Sequence, residues 1–251
     1  AFLTFGITSI LGGLNFIVTI VTMRAPGMTW GRLPIFVWSV LAASTISFFA
    51  TQWVAFALIM VILERTFNMS FFNAPGGNAL LYEHVFWFYS HPAVYIMILP
   101  AFGLELEIIS HFSRKPLFAY AWVVRAFFTI VFLGFIVWAH HLFTSGMNEN
   151  LHGPFMVLTE LISIPTGVVF LSALGTMWRG RIALRTPMLF ALGMVFNFAI
   201  GGLTGIFLAD VATDLNLQDT YFVVAHFHYT IVGGEIFAIM AALYYWYPKI
   251  T

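Results

Sequence analysis

Five histidines of this chain are best equipped for chemistry: His91, the adjacent pair His140 and His141, and the near pair His226 and His228. Imidazole nitrogen suits copper, iron and zinc, and an unpaired polar side chain in hydrocarbon is expensive. Each of the five falls in a long apolar stretch. A single such histidine is explained by an interhelical hydrogen bond; five together point to metals. The chain has no cysteine, which removes disulfides, thiolate metal sites and cysteine nucleophiles and leaves histidine as the ligand.

Helix geometry separates their work. His226 and His228 are two residues apart, roughly 200° around a helix, so they point to opposite sides and each could bind its own haem. His140 and His141 are about 100° apart, an angle one metal can bridge where a helix end loosens. His91, from another helix, would complete a three-nitrogen site suited to copper. Tyr95 lies one turn after His91 on the same face, within reach of the same metal.

The elements that must position these residues are membrane helices. Hydrophobic residues make up 61% of the chain and charged ones 8%, against about 25% charged in a soluble domain. Spanning takes roughly 20 apolar residues. Stretches at 2–22, 36–63, 85–106, 120–143, 154–178, 187–210 and 221–246 qualify, predicting an all-α polytopic bundle of seven spans in one domain over 1–251. Turn chemistry separates them: Arg24 to Gly27, Asn73-Ala74-Pro75-Gly76-Gly77, Lys115-Pro116, Gly146 to Gly153 and Arg185-Thr186-Pro187. No period-2 alternation suggests a β-barrel. The chain opens at Ala1 inside an apolar stretch, with no targeting peptide, as a fragment of a longer protein would.

Charge placement tests the segmentation. Arg24, Arg32, Arg114, Lys115, Arg179, Arg181, Arg185 and Lys249 fall on one side of seven alternating spans, and Arg65 alone in the opposite loops. That asymmetry puts the first group in the cytoplasm or matrix. All five histidines then lie in the outer part of the membrane at similar depth. Acidic and basic residues balance at 10 each, and no basic run exists to track nucleic acid.

Three segments carry a resemblance. Phe88-Tyr89-Ser90-His91-Pro92-Ala93-Val94-Tyr95, Val137-Trp138-Ala139-His140-His141 and Val223-Val224-Ala225-His226-Phe227-His228-Tyr229 resemble the signatures of the haem–copper oxidase catalytic subunit. Met23 to Trp38, Pro75-Gly76-Gly77, Ile164-Pro165-Thr166-Gly167 and Gly201-Gly202-Leu203-Thr204-Gly205 agree, so the resemblance covers nearly the whole chain. It implies the fourth to tenth helices of a larger subunit in the bacterial cytoplasmic or mitochondrial inner membrane, with metal centres toward the outer side. It implies that His91, His140 and His141 ligate a single copper, and that Tyr95 becomes covalently joined to His91 and donates an electron and a proton to oxygen. His226 would be the ligand of a high-spin haem and His228 one ligand of a low-spin haem, its other ligand on an earlier helix. Trp87 matches a position lining the route to the outer side, and Asp219 matches a magnesium ligand.

The implied activity is four-electron reduction of O2 to water coupled to proton translocation. The implied partners are the lipid membrane, other oxidase subunits including the one through which electrons enter, and cytochrome c or quinol as donor. Ala93 stands where many members have a proton-path glutamate; Tyr89-Ser90 instead resembles the subgroup in which that pair replaces it. Val169 stands where a second proton path usually has lysine, leaving Thr159 and Thr166 on that helix. Glu160 and Glu235, unusual within spans, either feed protons to the site or make buried hydrogen bonds. Gln218 precedes Asp219 where histidine is common, which weakens the magnesium match. His84 and Glu83 are expected to bond water or the haem surroundings, and His111 and His152 to lie in loops. A nitric oxide reductase on the same scaffold is the alternative, against which Tyr95 argues.

Overall fold

The computed structural model describes residues 2–73 and 75–251; Ala1 and Ala74, the second within the predicted Asn73-to-Gly77 turn, lie outside the described residues. The described residues form helices and connecting turns, with no strand among them. The helices are α1 (Phe2–Thr22), α2 (Ile35–Phe67), α3 (Ala79–Ser113), α4 (Tyr120–Gly134), α5 (His152–Leu161), α6 (Ser163–Met177), α7 (Thr186–Ala209), α8 (Val211–Leu217), α9 (Tyr221–Phe227) and α10 (Phe237–Ile250).

Six segments are long and apolar enough to cross a membrane: α1, α2, α3, the run Glu149–Met177 containing α5 and α6, α7, and the run Tyr221–Ile250 containing α9 and α10. The expected seventh span, 120–143, is shorter than predicted. Its α-helix ends at Gly134 after 15 residues, and a 3-10 turn follows at Trp138–Leu142. Other boundaries move outward: α3 runs to Ser113 rather than 106, which carries Glu105 inside the helix.

Local chemistry explains the limits. Asn78 caps α3 by accepting the Leu81 N–H at 3.3 Å, and the helix stops where Arg114 turns left-handed, φ 53°. Inside α3, Pro92 and Pro100 each remove a helical N–H, and Pro92 does so directly after His91. Pro187 opens α7 at its first turn, where no N–H is needed.

Packing gathers α2, α3, α4, α6, α7 and α10 around one core, in which Ile46, Leu99, Leu106, Ile109, Phe127 and Met194 are fully buried. Large apolar side chains also face outward, among them Phe49, Phe56, Leu171, Phe196 and Leu203. Such a surface fits lipid or neighbouring helices, not water. The loops expected on one side do share one end. Tyr120 at the start of α4 donates to Leu33 O at 2.6 Å, Arg181 N–H bonds Ser113 O at 3.0 Å, and Lys249 sits over the Tyr245 ring, itself beside His111. His111 therefore lies in the last turn of α3, and His152 opens α5; neither is the loop residue expected.

Candidate metal centre

Three histidines from two elements converge on one point. His91 projects from α3, while His140 and His141 come from the 3-10 turn after α4, and one nitrogen of each lies within 4.8 Å of the others. His140 and His141 sit in a 3-10 turn beyond the end of the α-helix, and their two rings lie at a centroid distance of 4.2 Å. His91 Nδ1 faces His141 Nε2 at 3.3 Å, and the His91 and His140 rings meet edge-on at 4.6 Å.

Hydrogen bonds set the protons. Thr159 on α5 donates its hydroxyl proton to Phe155 O at 2.6 Å, so toward His140 it can only accept. Nδ1 of His140 lies 3.1 Å from that oxygen and therefore carries the proton, leaving the Nε2 lone pair for a ligand role. Nε2 of His91 is buried with no hydrogen-bond partner. A buried orphan nitrogen is costly, and two imidazole nitrogens aimed at one another suit a shared cation better than each other. This nitrogen-only set fits copper.

Aromatic groups close the cluster. Trp87 stacks flat on His141, centroids 3.6 Å apart and planes within 7°. Tyr95 is half-buried one turn from His91, rings 4.8 Å apart. Gly134 makes that approach feasible, since a β-carbon there would stand 3.0 Å from the Tyr95 ring. Tyr89 and Ser90 are half-buried on α3 just before His91. The indole N–H of Trp138 donates to His84 Nδ1 at 3.3 Å, a protein partner where water or the haem surroundings had been expected.

His226 and His228 diverge as the spacing predicts. His226 Nδ1 meets Gly201 O at 2.9 Å and Thr204 Oγ1 at 3.2 Å, both on α7. A β-carbon at Gly205 would come within 2.9 Å of its ring, so glycine lets α7 lie against it. His228 Nδ1 bonds Val224 O at 2.7 Å, and its exposed ring borders a cavity with Asn197, Tyr229 and Gly233. In both, Nδ1–H to a carbonyl leaves Nε2 free as an iron ligand, which fits a haem on each flank. At His228 the helix widens into a π segment, His228–Ile236, a feature common at functional sites.

The remaining candidates are more dispersed. Asp219 is exposed at a left-handed turn, φ 61°, and faces Asp214, whose carboxyl is buried and pushed up to about 6 by desolvation and by that neighbouring charge. Glu160 is exposed and Glu235 half-buried. Thr159 turns inward to His140, so Glu160, about 100° on, faces out. Sequence reasoning missed Glu105, a buried carboxyl on the same helix as His91 and Tyr95.

Fold and site together define an integral membrane helix bundle with a buried three-histidine cluster and two divergent histidines beside it. The chain belongs to the cytochrome c and quinol oxidase polypeptide I family, which it matches over residues 1–251, and with that family come haem and copper. It is 49% identical to cytochrome c oxidase subunit 1 of Bacillus sp. (strain PS3) over 245 residues, covering 97% of this chain and 40% of that protein. It is 48% identical to the Synechocystis protein of the same name, covering 98% of this chain and 45% of that one. For the Cereibacter sphaeroides protein of that name the figures are 44% identity, 98% and 44%. The chain thus spans less than half the length of these relatives.

Proposed function

We propose that this chain is the metal-binding part of the catalytic subunit of a respiratory terminal oxidase, reducing O2 to water and coupling that to proton translocation. The observation that carries the reading is the convergence of His91, His140 and His141 beside a tyrosine. A copper on those three, a high-spin haem on His226 and a low-spin haem on His228 would supply, when bound, the electrons and an open coordination site for oxygen.

The chain's own part is positional. Thr159 holds the proton on Nδ1 of His140, and Gly201 O fixes the His226 ring. Tyr95, joined covalently to His91, offers a proton and an electron from its phenol. Trp87 seals one face of His141. Tyr89 and Ser90 stand in for the missing proton-path carboxylate, as in the subgroup the sequence resembles, and Asp219 is the candidate magnesium ligand. Residues 1–251 form one domain of a longer subunit. It works with other oxidase subunits, takes electrons from cytochrome c or quinol, and sits in a bacterial cytoplasmic or mitochondrial inner membrane, metals toward the outer side.

The test is oxygen against nitric oxide consumption by the purified complex, with spectra before and after cyanide. Cyanide-sensitive oxygen uptake is expected. Preferential nitric oxide turnover would overturn the oxidase assignment while keeping the metal ligands.

A further inference from the structure

Glu105 has no structural explanation. It is 4% exposed in the middle of the protein core. Among the described residues it makes no side-chain hydrogen bond and no ion pair, whereas the buried Glu64 accepts the backbone N–H groups of Phe71, Phe72 and Asn73. Charging an unpartnered carboxyl here costs several kcal/mol, so at rest Glu105 carries its proton. Ionisable groups retained inside a membrane at such cost mark proton or ion routes.

Its position suits that use. His91, Ile98 and Glu105 are spaced by seven residues along α3, one stripe that drifts about 20° per step. Glu105 therefore lies on the metal-facing side of α3, about 15 Å along the axis from Tyr95, at 1.5 Å per residue. It is displaced toward the end that carries Arg114 and Lys115. Glu107, two residues on and roughly 200° further round α3, points to the other flank, where it accepts the Phe36 N–H at 3.4 Å and lines an open pocket with Pro34, Tyr245 and Trp246; it is no partner of Glu105. The neighbouring helix offers nothing comparable: Val169 on α6 is 1% exposed and cannot carry a proton. Glu160 faces outward.

We propose that Glu105 is the proton-relay carboxyl of this chain. It takes a proton from the end of the bundle that carries Arg114 and Lys115 and passes its own toward Tyr95 through water, with one proton in, one out and no change of oxidation state at the carboxyl. This rests on the oxidase reading.

The experiment uses the holoenzyme, wild type and Glu105→Gln, with three readouts: haem and copper spectra, proton uptake on reduction of the metal centres, and the infrared difference band of a protonated carboxyl. Expected are unaltered metal spectra in Glu105→Gln, proton uptake slowed on the order of 100-fold, and loss of the carboxyl band. Proton uptake at the wild-type rate would overturn the relay, whether or not the band is lost. If Glu105→Gln does not assemble, Glu105→Asp carries the test: a shifted carboxyl band with slowed uptake supports the relay, and uptake at the wild-type rate overturns it. A wild-type complex without haem–copper spectra or oxygen uptake would instead sink the oxidase reading.

Discussion

Replacing Thr159 by valine tests the tautomer argument at the copper site. The side chain is 9% exposed, and its hydroxyl accepts from His140 Nδ1 at 3.1 Å because its own proton is committed to Phe155 O at 2.6 Å. Valine keeps nearly the shape and removes the acceptor. The lost bond is worth about 1 kcal/mol net, and the stranded N–H costs about 1–3 kcal/mol. Without a partner the ring can also move its proton to Nε2, which blocks the ligand lone pair. Partners of metal-bound histidines typically contribute about 10–100-fold in affinity, equal to about 1.4–2.8 kcal/mol. Copper retention against a competing chelator, referred to haem content, should therefore fall by that factor in Thr159→Val. Thr159→Ser keeps the hydroxyl and should stay near wild type. Equal copper retention in Thr159→Val and wild type would refute the reasoning, and an equal loss in Thr159→Ser would assign the effect to the methyl group.

Two other outcomes follow from the geometry. Gly205→Ala puts a methyl 2.9 Å from the His226 ring; overpacking of this kind costs about 1–3 kcal/mol, so a lower melting temperature and an altered high-spin haem spectrum are expected. Asp214, outside the spans on α8, has its folded-state carboxyl raised from 3.8 to about 6. Between those values the folded state binds more protons than the unfolded one, so this group's contribution is fully present below about pH 4 and is lost as pH rises through about 6. The stability difference between wild type and Asp214→Asn, followed by thermal melts across that interval, should shift against the wild type as pH rises; a constant difference would contradict it.

What the sequence conveyed follows the strength of each signal. Apolar runs and Gly/Pro turns announced the bundle. The five histidines stood out because such residues are rare in hydrocarbon, and their angular spacing already separated His226 from His228. The end of α4 was illegible because residues 135–143, Phe-Ile-Val-Trp-Ala-His-His-Leu-Phe, stay apolar or aromatic through the break, and Gly134 is its only mark. A span ending at 106 leaves Glu105 at its very end; the helix runs on to Ser113, and Glu105 is buried within it. Thr159 belongs to α5, 19 positions from its partner His140, and no local pattern reports a contact at that separation.

Two of the departures from α-helical geometry, the 3-10 turn at Trp138–Leu142 and the π segment at His228–Ile236, contain the metal-site histidines or begin beside them. At Trp138–Leu142 the α-helix has given way to a 3-10 turn, and from it two consecutive imidazoles reach one point shared with His91. At His228–Ile236 the helix widens, directly after a turn that must present His226 to α7 and His228 to the opposite flank. A π segment leaves backbone partners out of α register, which is tolerable in a membrane only where neighbouring protein packs closely. Gly201 supplies that packing, since a β-carbon there would collide with Thr230 at 2.6 Å. The same residue's carbonyl holds the His226 ring at 2.9 Å. One glycine thus lets α7 approach the widened helix and positions its ligand. A substitution at Gly201 should therefore disturb both the π segment and the haem on His226, where removing Thr204's hydroxyl would disturb the ring alone.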